Sequence, residues 1–201
     1  MTVLVGREAP DFTAPAVLAS GEIINQLNFS KQRNGRYAAI IFYPLDFTFV
    51  CPSELIALNK RVSSLEALDV EIFSVSIDSQ YTHLAWRNTP VSNGGIGDVA
   101  FSMVSDVSHS IIKNYGIESP NDFIAYRSTF LVDRQGIVRH QIVNDLPLGR
   151  NMDELVRMVE ALRFYEKNGE VCPAGWQKGE KGMTPSRQGV ANFLSRQADN
   201  L

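Results

Sequence analysis

The chain has 201 residues, 44% of them hydrophobic and 20% charged, with a formal net charge of −3. That length supports one good core and suggests a single domain with an appendage, while the acidic balance gives no electrostatic footing for nucleic acid. No stretch approaches the roughly 18 consecutive apolar residues that a membrane span requires.

The chain opens on Met1 to Glu8, which reaches the pair Arg7-Glu8 before any usable apolar stretch and so does not read as a signal peptide. An extended, proline-bearing segment over Ala9–Pro15 follows. Tyr37-Ala38-Ala39-Ile40-Ile41-Phe42-Tyr43 is continuously apolar, as expected for a central strand covered on both faces. From Ser53 onward Leu55, Leu58, Val62 and Leu65 share one helical face. Val70–Ile77 is rich in strand formers, Gln80–Asn88 reads as helix, and Pro90–Gly97 reads as a glycine-rich loop. A strand is predicted over Phe101–Val104 and a short helix over Ser108–Tyr115, ended by Gly116. Ser128–Val132 and Ile137–Ile142 flank the turn Asp133-Arg134-Gln135-Gly136, a hairpin signal. The last long helix starts near Asn151, an N-cap candidate with Glu154 three residues on. After Gly169 the periodicity is lost until a short helical segment, Ser186–Gln197, carrying Val190, Phe193 and Leu194 on one side. The expected class is α/β, a mixed sheet between helices, with a domain over 1–166 and an arm over 167–201.

Two cysteines do not make a disulfide scaffold. The chain is expected in the cytoplasm, where a thiol pair is more often catalytic than structural, and the sequon Asn28-Phe29-Ser30 is then incidental. Cys51 follows a strand-like stretch that ends at Pro44. A hydroxyl, Thr48, stands three residues before it, and Pro52-Ser53-Glu54 open an amphipathic segment behind it. That pattern sets a thiol in the first turn of a helix, where free N–H groups and the positive end of the dipole favour the thiolate. The thiolate is both the nucleophile and the species that peroxides oxidise. His83, His109 and His140 have no metal-ligand spacing with one another or with the cysteines. Trp86 reads as helix packing. Gly94-Gly95-Ile96-Gly97 lacks the strand-to-helix setting of a phosphate site.

The run Phe42–Glu54 resembles the active-site signature of typical two-cysteine peroxiredoxins, in the branch that includes alkyl hydroperoxide reductase C. Pro44, Thr48 and Cys51 fall on that family's Pro-x-x-x-Thr-x-x-Cys pattern, with Glu54 following. Arg127 stands where the family has its active-site arginine, Val171-Cys172-Pro173 matches the resolving-cysteine site, and Gly94–Gly97 is similar to a Gly-Gly-Leu-Gly loop. The resemblance covers nearly the whole chain. It implies a thioredoxin-like fold, an obligate homodimer, often a ring of five dimers, and no cofactor or metal. It also implies a disulfide between Cys51 of one subunit and Cys172 of the other, reset by thioredoxin or by a flavin-containing disulfide reductase.

Chemistry at the residues agrees with that likeness. Cys51 can attack a peroxide oxygen, leaving a sulfenic acid. Arg127 offers a fixed cation with several donors in a planar fork, and the Thr48 hydroxyl can orient the O–O bond. Pro44 and Pro52 lack N–H groups and can shield the thiolate without competing for it. The resemblance implies that Glu54 holds Arg127. In peroxide-sensitive members of the family a Tyr-Phe pair lies in the C-terminal helix. Here Asn192-Phe193 stands in that place, so intermediate sensitivity to overoxidation is expected. A thiol-disulfide relay is disfavoured by Thr48 and by the lack of a Cys-x-x-Cys motif. A holdase role would survive Cys51→Ser.

Overall fold

The structure, a computed structural model, describes residues 3–200. Met1 and Thr2, at the head of the segment read against a signal peptide, lie outside the described residues. Two compact units divide the chain, Met1–Met152 and Asp153–Leu201. The first holds a seven-stranded mixed sheet, built from β1 (Thr13–Val17), β2 (Ile23–Asn28), β3 (Tyr37–Phe42), β4 (Val70–Ser76), β5 (Ser102–Ser105), β6 (Arg127–Val132) and β7 (Val138–Asn144). Their spatial order is β2-β1-β5-β4-β3-β6-β7. β3, β4 and β5 run parallel, and antiparallel strands flank them on both sides.

β3 lies near the middle because every one of its residues is apolar. All six are buried, and the strand pairs with β4 on one edge and β6 on the other. Alternate residues face opposite sides. Ala38, Ile40 and Phe42 enter one core cluster with Phe73, Val104, Ile112, Tyr115 and Phe130. Phe42, Tyr115 and Phe130 meet there with ring centroids 5.0–5.7 Å apart. A burial of this kind stabilises by about 2 kcal/mol for each large apolar side chain.

Helices α1 (Phe29–Arg33), α2 (Cys51–Asn59), α3 (Val62–Ala67), α4 (Gln80–Asn88) and α5 (Ser110–Asn114) belong to this unit. The apolar face expected to form one helix from Ser53 to Leu65 is split between α2 and α3. Tighter bonds from Arg61 N–H to Leu58 and from Lys60 N–H toward Ile56 and Leu58 close α2. The Asn59 amide meanwhile is drawn to Asp98 O and Ala100 N. β2 and α1 left no clear sequence signal, because only Leu27 of β2 is buried. Asn28, the sequon residue, is spent on the fold: its side chain donates to Asp11, Phe12 and Thr13 and caps α1 by accepting from Lys31 N–H. The hairpin β6–β7 stands as expected, and α4 spans the residues read as helix.

In the second unit α6 runs over Met152–Asn168, its first residue closing the preceding unit, and α7 covers Arg187–Gln197 with Ser186 as a side-chain N-cap. Val171 and Met183 pair across the intervening arm. Trp176 is buried, its ring 4.9 Å from that of Phe164. Val190 and Leu194 of α7 are exposed.

Candidate active site

β3 ends at Phe42, and Tyr43 and Pro44, both buried, carry the chain out of the sheet. A loop over residues 45–50 then delivers it to α2, whose first residue is Cys51. The N-cap residue, Val50, supplies no side-chain acceptor. The positive end of the helix is therefore left to whatever charge the neighbourhood provides. Cys51 is fully buried and its sulfur is not bridged. Pro52 is half-buried beside it.

Two polar groups reach the sulfur. The Thr48 hydroxyl lies 2.9 Å from Cys51 Sγ and 2.8 Å from the Leu45 carbonyl, so one hydroxyl hydrogen faces two acceptors. Arg127 Nη1 lies 3.3 Å from the same sulfur. Arg127 stands 76 positions from Cys51 in sequence. It opens β6, which runs antiparallel to β3 with Ser128 opposite Phe42, and this register puts it beside the point where β3 releases the active loop.

Glu54, one helical turn after Cys51, is 2% exposed and binds two arginines. Arg127 Nη1 donates to its Oε2 at 2.8 Å. Arg150 donates through Nε and its backbone N–H to Oε1, at 2.8 and 2.9 Å, and through Nη2 to Oε2 at 3.0 Å. Arg150 Nη1 also donates to the Ser128 carbonyl. Burial alone pushes the Glu54 carboxyl up, but the Arg150 hydrogen bonds and charge, with Arg127 behind them, hold it below the ordinary carboxylate range. Two cations thus share one carboxylate next to the sulfur. A thiolate would make that group of four neutral.

A second buried network begins two residues before Thr48. Tyr43 Oη donates to Asp46 Oδ1 at 2.7 Å, and His83 Nδ1 lies 2.8 Å from Asp46 Oδ2. His83 Nε2 faces the Val104 carbonyl at 3.2 Å, and Asp46 N–H donates to Asp78 Oδ2 at 2.8 Å. Burial pushes both the Asp46 carboxyl and the Tyr43 phenol up. Trp86 is buried as the helix-packing reading expected, and its Nε1–H donates to Gly94 O in the glycine-rich loop.

Cys172 belongs to the second unit. It is half-buried and unbridged, with Sγ 3.4 Å from the Ala161 carbonyl. Burial pushes its thiol up, against the opposing charge of Arg157. Arg157 donates from Nη1 to the Trp176 carbonyl at 2.9 Å, and its Nε and Nη2 hold both oxygens of Glu154.

Of the residues singled out from sequence, Thr48, Cys51, Glu54 and Arg127 meet in one cluster, and Pro44 is buried at the head of the loop that leads to Cys51. Arg150, Asp46, Tyr43 and His83 were missed as parts of this neighbourhood. Arg150 follows Pro147-Leu148-Gly149, and a lone arginine in a turn carries no pattern. His83, which has no metal-ligand spacing in the sequence, has a partner on each ring nitrogen, Asp46 at Nδ1 and the Val104 carbonyl at Nε2. No group of three or more His, Cys, Asp or Glu among the described residues is placed to hold a metal.

Residues 5–141 match the AhpC/TSA family, and residues 161–196, which include Cys172, match the C-terminal domain of 1-Cys peroxiredoxin. The chain is 54% identical to alkyl hydroperoxide reductase C of Buchnera aphidicola subsp. Acyrthosiphon pisum, over 96% of this chain and 98% of that one. It is 45% identical to peroxiredoxin-1 of Gallus gallus, over 96% of each. A reduced 2-Cys peroxiredoxin of Plasmodium vivax superposes with a TM-score of 0.92 at 46% identity, over 96% of this chain and 100% of that one. The chain therefore belongs to the AhpC/TSA family of peroxiredoxins, and the thioredoxin-like α/β fold expected from its sequence is the fold it has.

Proposed function

We propose that this protein is a thiol-dependent peroxidase for hydrogen peroxide and organic hydroperoxides, serving antioxidant defence, with Cys51 as the oxidised residue. The observation that carries the reading is the pair of contacts on the Cys51 sulfur, Thr48 Oγ1 at 2.9 Å and Arg127 Nη1 at 3.3 Å. A cation and a hydroxyl at that range stabilise negative charge on sulfur and offer donors to an incoming oxygen.

The Cys51 thiolate attacks one peroxide oxygen, the S–O bond forms as the O–O bond breaks, and the departing oxygen leaves as water or alcohol after taking a proton. Sulfur is oxidised to a sulfenic acid and the peroxide is reduced. Arg127 faces the charge that moves from sulfur to the leaving oxygen. The Thr48 hydroxyl orients the O–O bond, and Pro44 and Pro52 keep competing N–H donors away. Glu54 fixes the Arg127 fork, with Arg150 as its second cation.

The Cys172 thiol of a partner subunit then displaces hydroxide from the Cys51 sulfenic acid, which departs as water and leaves an intersubunit disulfide. Because Cys51 is fully buried in the first turn of α2, that turn must open before a second sulfur reaches it. An external dithiol, thioredoxin or a flavin-containing disulfide reductase, resets the pair. The homodimer, its assembly into a ring of five, the division at residue 166 into peroxidase domain and arm, and a cytoplasmic site belong to the same reading. No helix among the described residues is long and apolar enough to cross a membrane.

The test is a peroxide challenge of reduced protein on a non-reducing gel, beside Cys51→Ser and Cys172→Ser. A dimer-sized band that reverses with dithiol and is absent from both variants is expected. A Cys51 that stays a thiol would overturn the peroxidase assignment.

A further inference from the structure

We propose that Asp46 and His83 are positioning residues for Thr48: their buried hydrogen-bonded pair clamps the loop between β3 and α2 in the one shape that aims the Thr48 hydroxyl at Cys51. This deepens the peroxidase reading and rests on it.

Thr48 cannot hold itself in place. It is half-buried, and its hydroxyl is shared between Leu45 O and Cys51 Sγ. Phe47, just before it, has φ +53°. That left-handed conformation is unfavourable for a bulky aromatic residue and persists only where the surroundings over-determine it. Phe47 is half exposed, and its ring has Trp86 as an aromatic neighbour at 5.9 Å. The constraint must come from the next residue back.

Asp46 meets that need. Its Oδ1 accepts from Tyr43 at the end of β3, its Oδ2 faces His83 of α4, and its N–H donates to Asp78 in the turn before α4. His83 is in turn held by the Val104 carbonyl of β5. Asp46 and His83 side chains are both 0% exposed. Since Nε2 faces a carbonyl, it carries a proton, and Asp46 and His83 share one further proton across Nδ1 and Oδ2. The bond holds whichever side the proton occupies. The chain leaving β3, helix α4 and the turn before it thus converge on the residue two before Thr48. Releasing it lets Phe47 relax to an ordinary φ and carries the hydroxyl off its aim.

The experiment measures two rates on the full chain: Cys51 oxidation by hydrogen peroxide in single turnover, and Cys51 alkylation by iodoacetamide. Asp46→Ala and His83→Leu are each expected to slow oxidation by at least about tenfold, since misplacement by an ångström is enough to cost that much. Alkylation needs the thiolate, which keeps Arg127 beside it, but not an oriented peroxide, so it is expected to fall far less than oxidation. Asp46→Asn keeps an acceptor for Tyr43 and a donor for His83, and should retain most of the rate. In a Thr48→Val background neither Asp46→Ala nor His83→Leu should add a further loss. Wild-type oxidation rates in both variants, losses that multiply with Thr48→Val, or alkylation falling in step with oxidation would overturn the proposal. A wild-type Cys51 inert to peroxide would instead sink the peroxidase reading beneath it.

Discussion

Replacing Arg150 by Met removes the cation that binds Glu54 most extensively. Four side-chain bonds are lost: Nε to Oε1 at 2.8 Å, Nη2 to Oε2 at 3.0 Å, and Nη1 to the Ser128 carbonyl at 2.6 Å and to the Thr129 hydroxyl at 3.3 Å. The backbone N–H of residue 150 and the Arg127 guanidinium still serve Glu54. Breaking a buried pair costs about 3–5 kcal/mol when a charge is stranded. Glu54 keeps one cation, so the expected loss lies at the lower end, about 3 kcal/mol. Both side chains are 2% exposed, and solvent screening offers little relief.

The loss also carries a pH signature. The Glu54 carboxyl in the folded wild type is held below its unfolded value of 4.5. Its ionisation therefore contributes stability that is fully present above 4.5 and is lost as pH falls through the lower folded value. Removing Arg150 leaves the burial effect less opposed and cancels much of that contribution. Urea unfolding of both proteins at one fixed concentration, from pH 7 downward, is the assay. The difference should be widest at neutral pH and narrow below about pH 4.5. A stability gap that does not change with pH would refute the ionic account and assign the effect to packing and the Ser128 bond.

Gly95→Ala would set a Cβ 1.8 Å from the Thr89 carbonyl oxygen, so the loop must shift. A loss of about 1–3 kcal/mol in urea unfolding is expected, and an unchanged midpoint would show that the loop yields freely. In Cys51→Ser protein, burial holds the Cys172 thiol above its ordinary 9.0, so alkylation at pH 8 should be slower than for a free thiol and keep rising past pH 9 before it levels off. Arg157→Gln should push that rise further, and no movement of the profile would remove Arg157 from the account. Asn192 is exposed, and its side-chain oxygen accepts from Gln188, while the neighbouring Phe193 is half-buried. Asn192→Tyr is expected to lower the peroxide concentration that yields Cys51 sulfinic acid, measured by intact mass, and deletion of residues 189–201 to raise it. Unaltered resistance after the deletion would end that line of reasoning.

Much of this protein is written in local pattern. The unbroken apolar run from Tyr37 marks β3 because a central strand is covered on both faces, and all six of its residues are buried. Pro44, Thr48, Cys51 and Glu54 lie within eleven consecutive positions, where turn chemistry and helical spacing suffice to place a thiol at a helix start and a carboxylate one turn on. The exposed β2 and the break between α2 and α3 were not legible. Each depends on partners distant in sequence: β1 for the strand, the Asp98 to Ala100 segment for the Asn59 amide. The same reason separates Thr48 from Arg150, Asp46 and His83 as sequence signals. Arg150 reaches Glu54, and His83 reaches Asp46, because the antiparallel pairing of β6 with β3 and the parallel pairing of β4 and β5 bring strand ends together. Local spacing can determine which residues share a helical face, whereas the register of long-range strands decides which charges share a buried carboxylate.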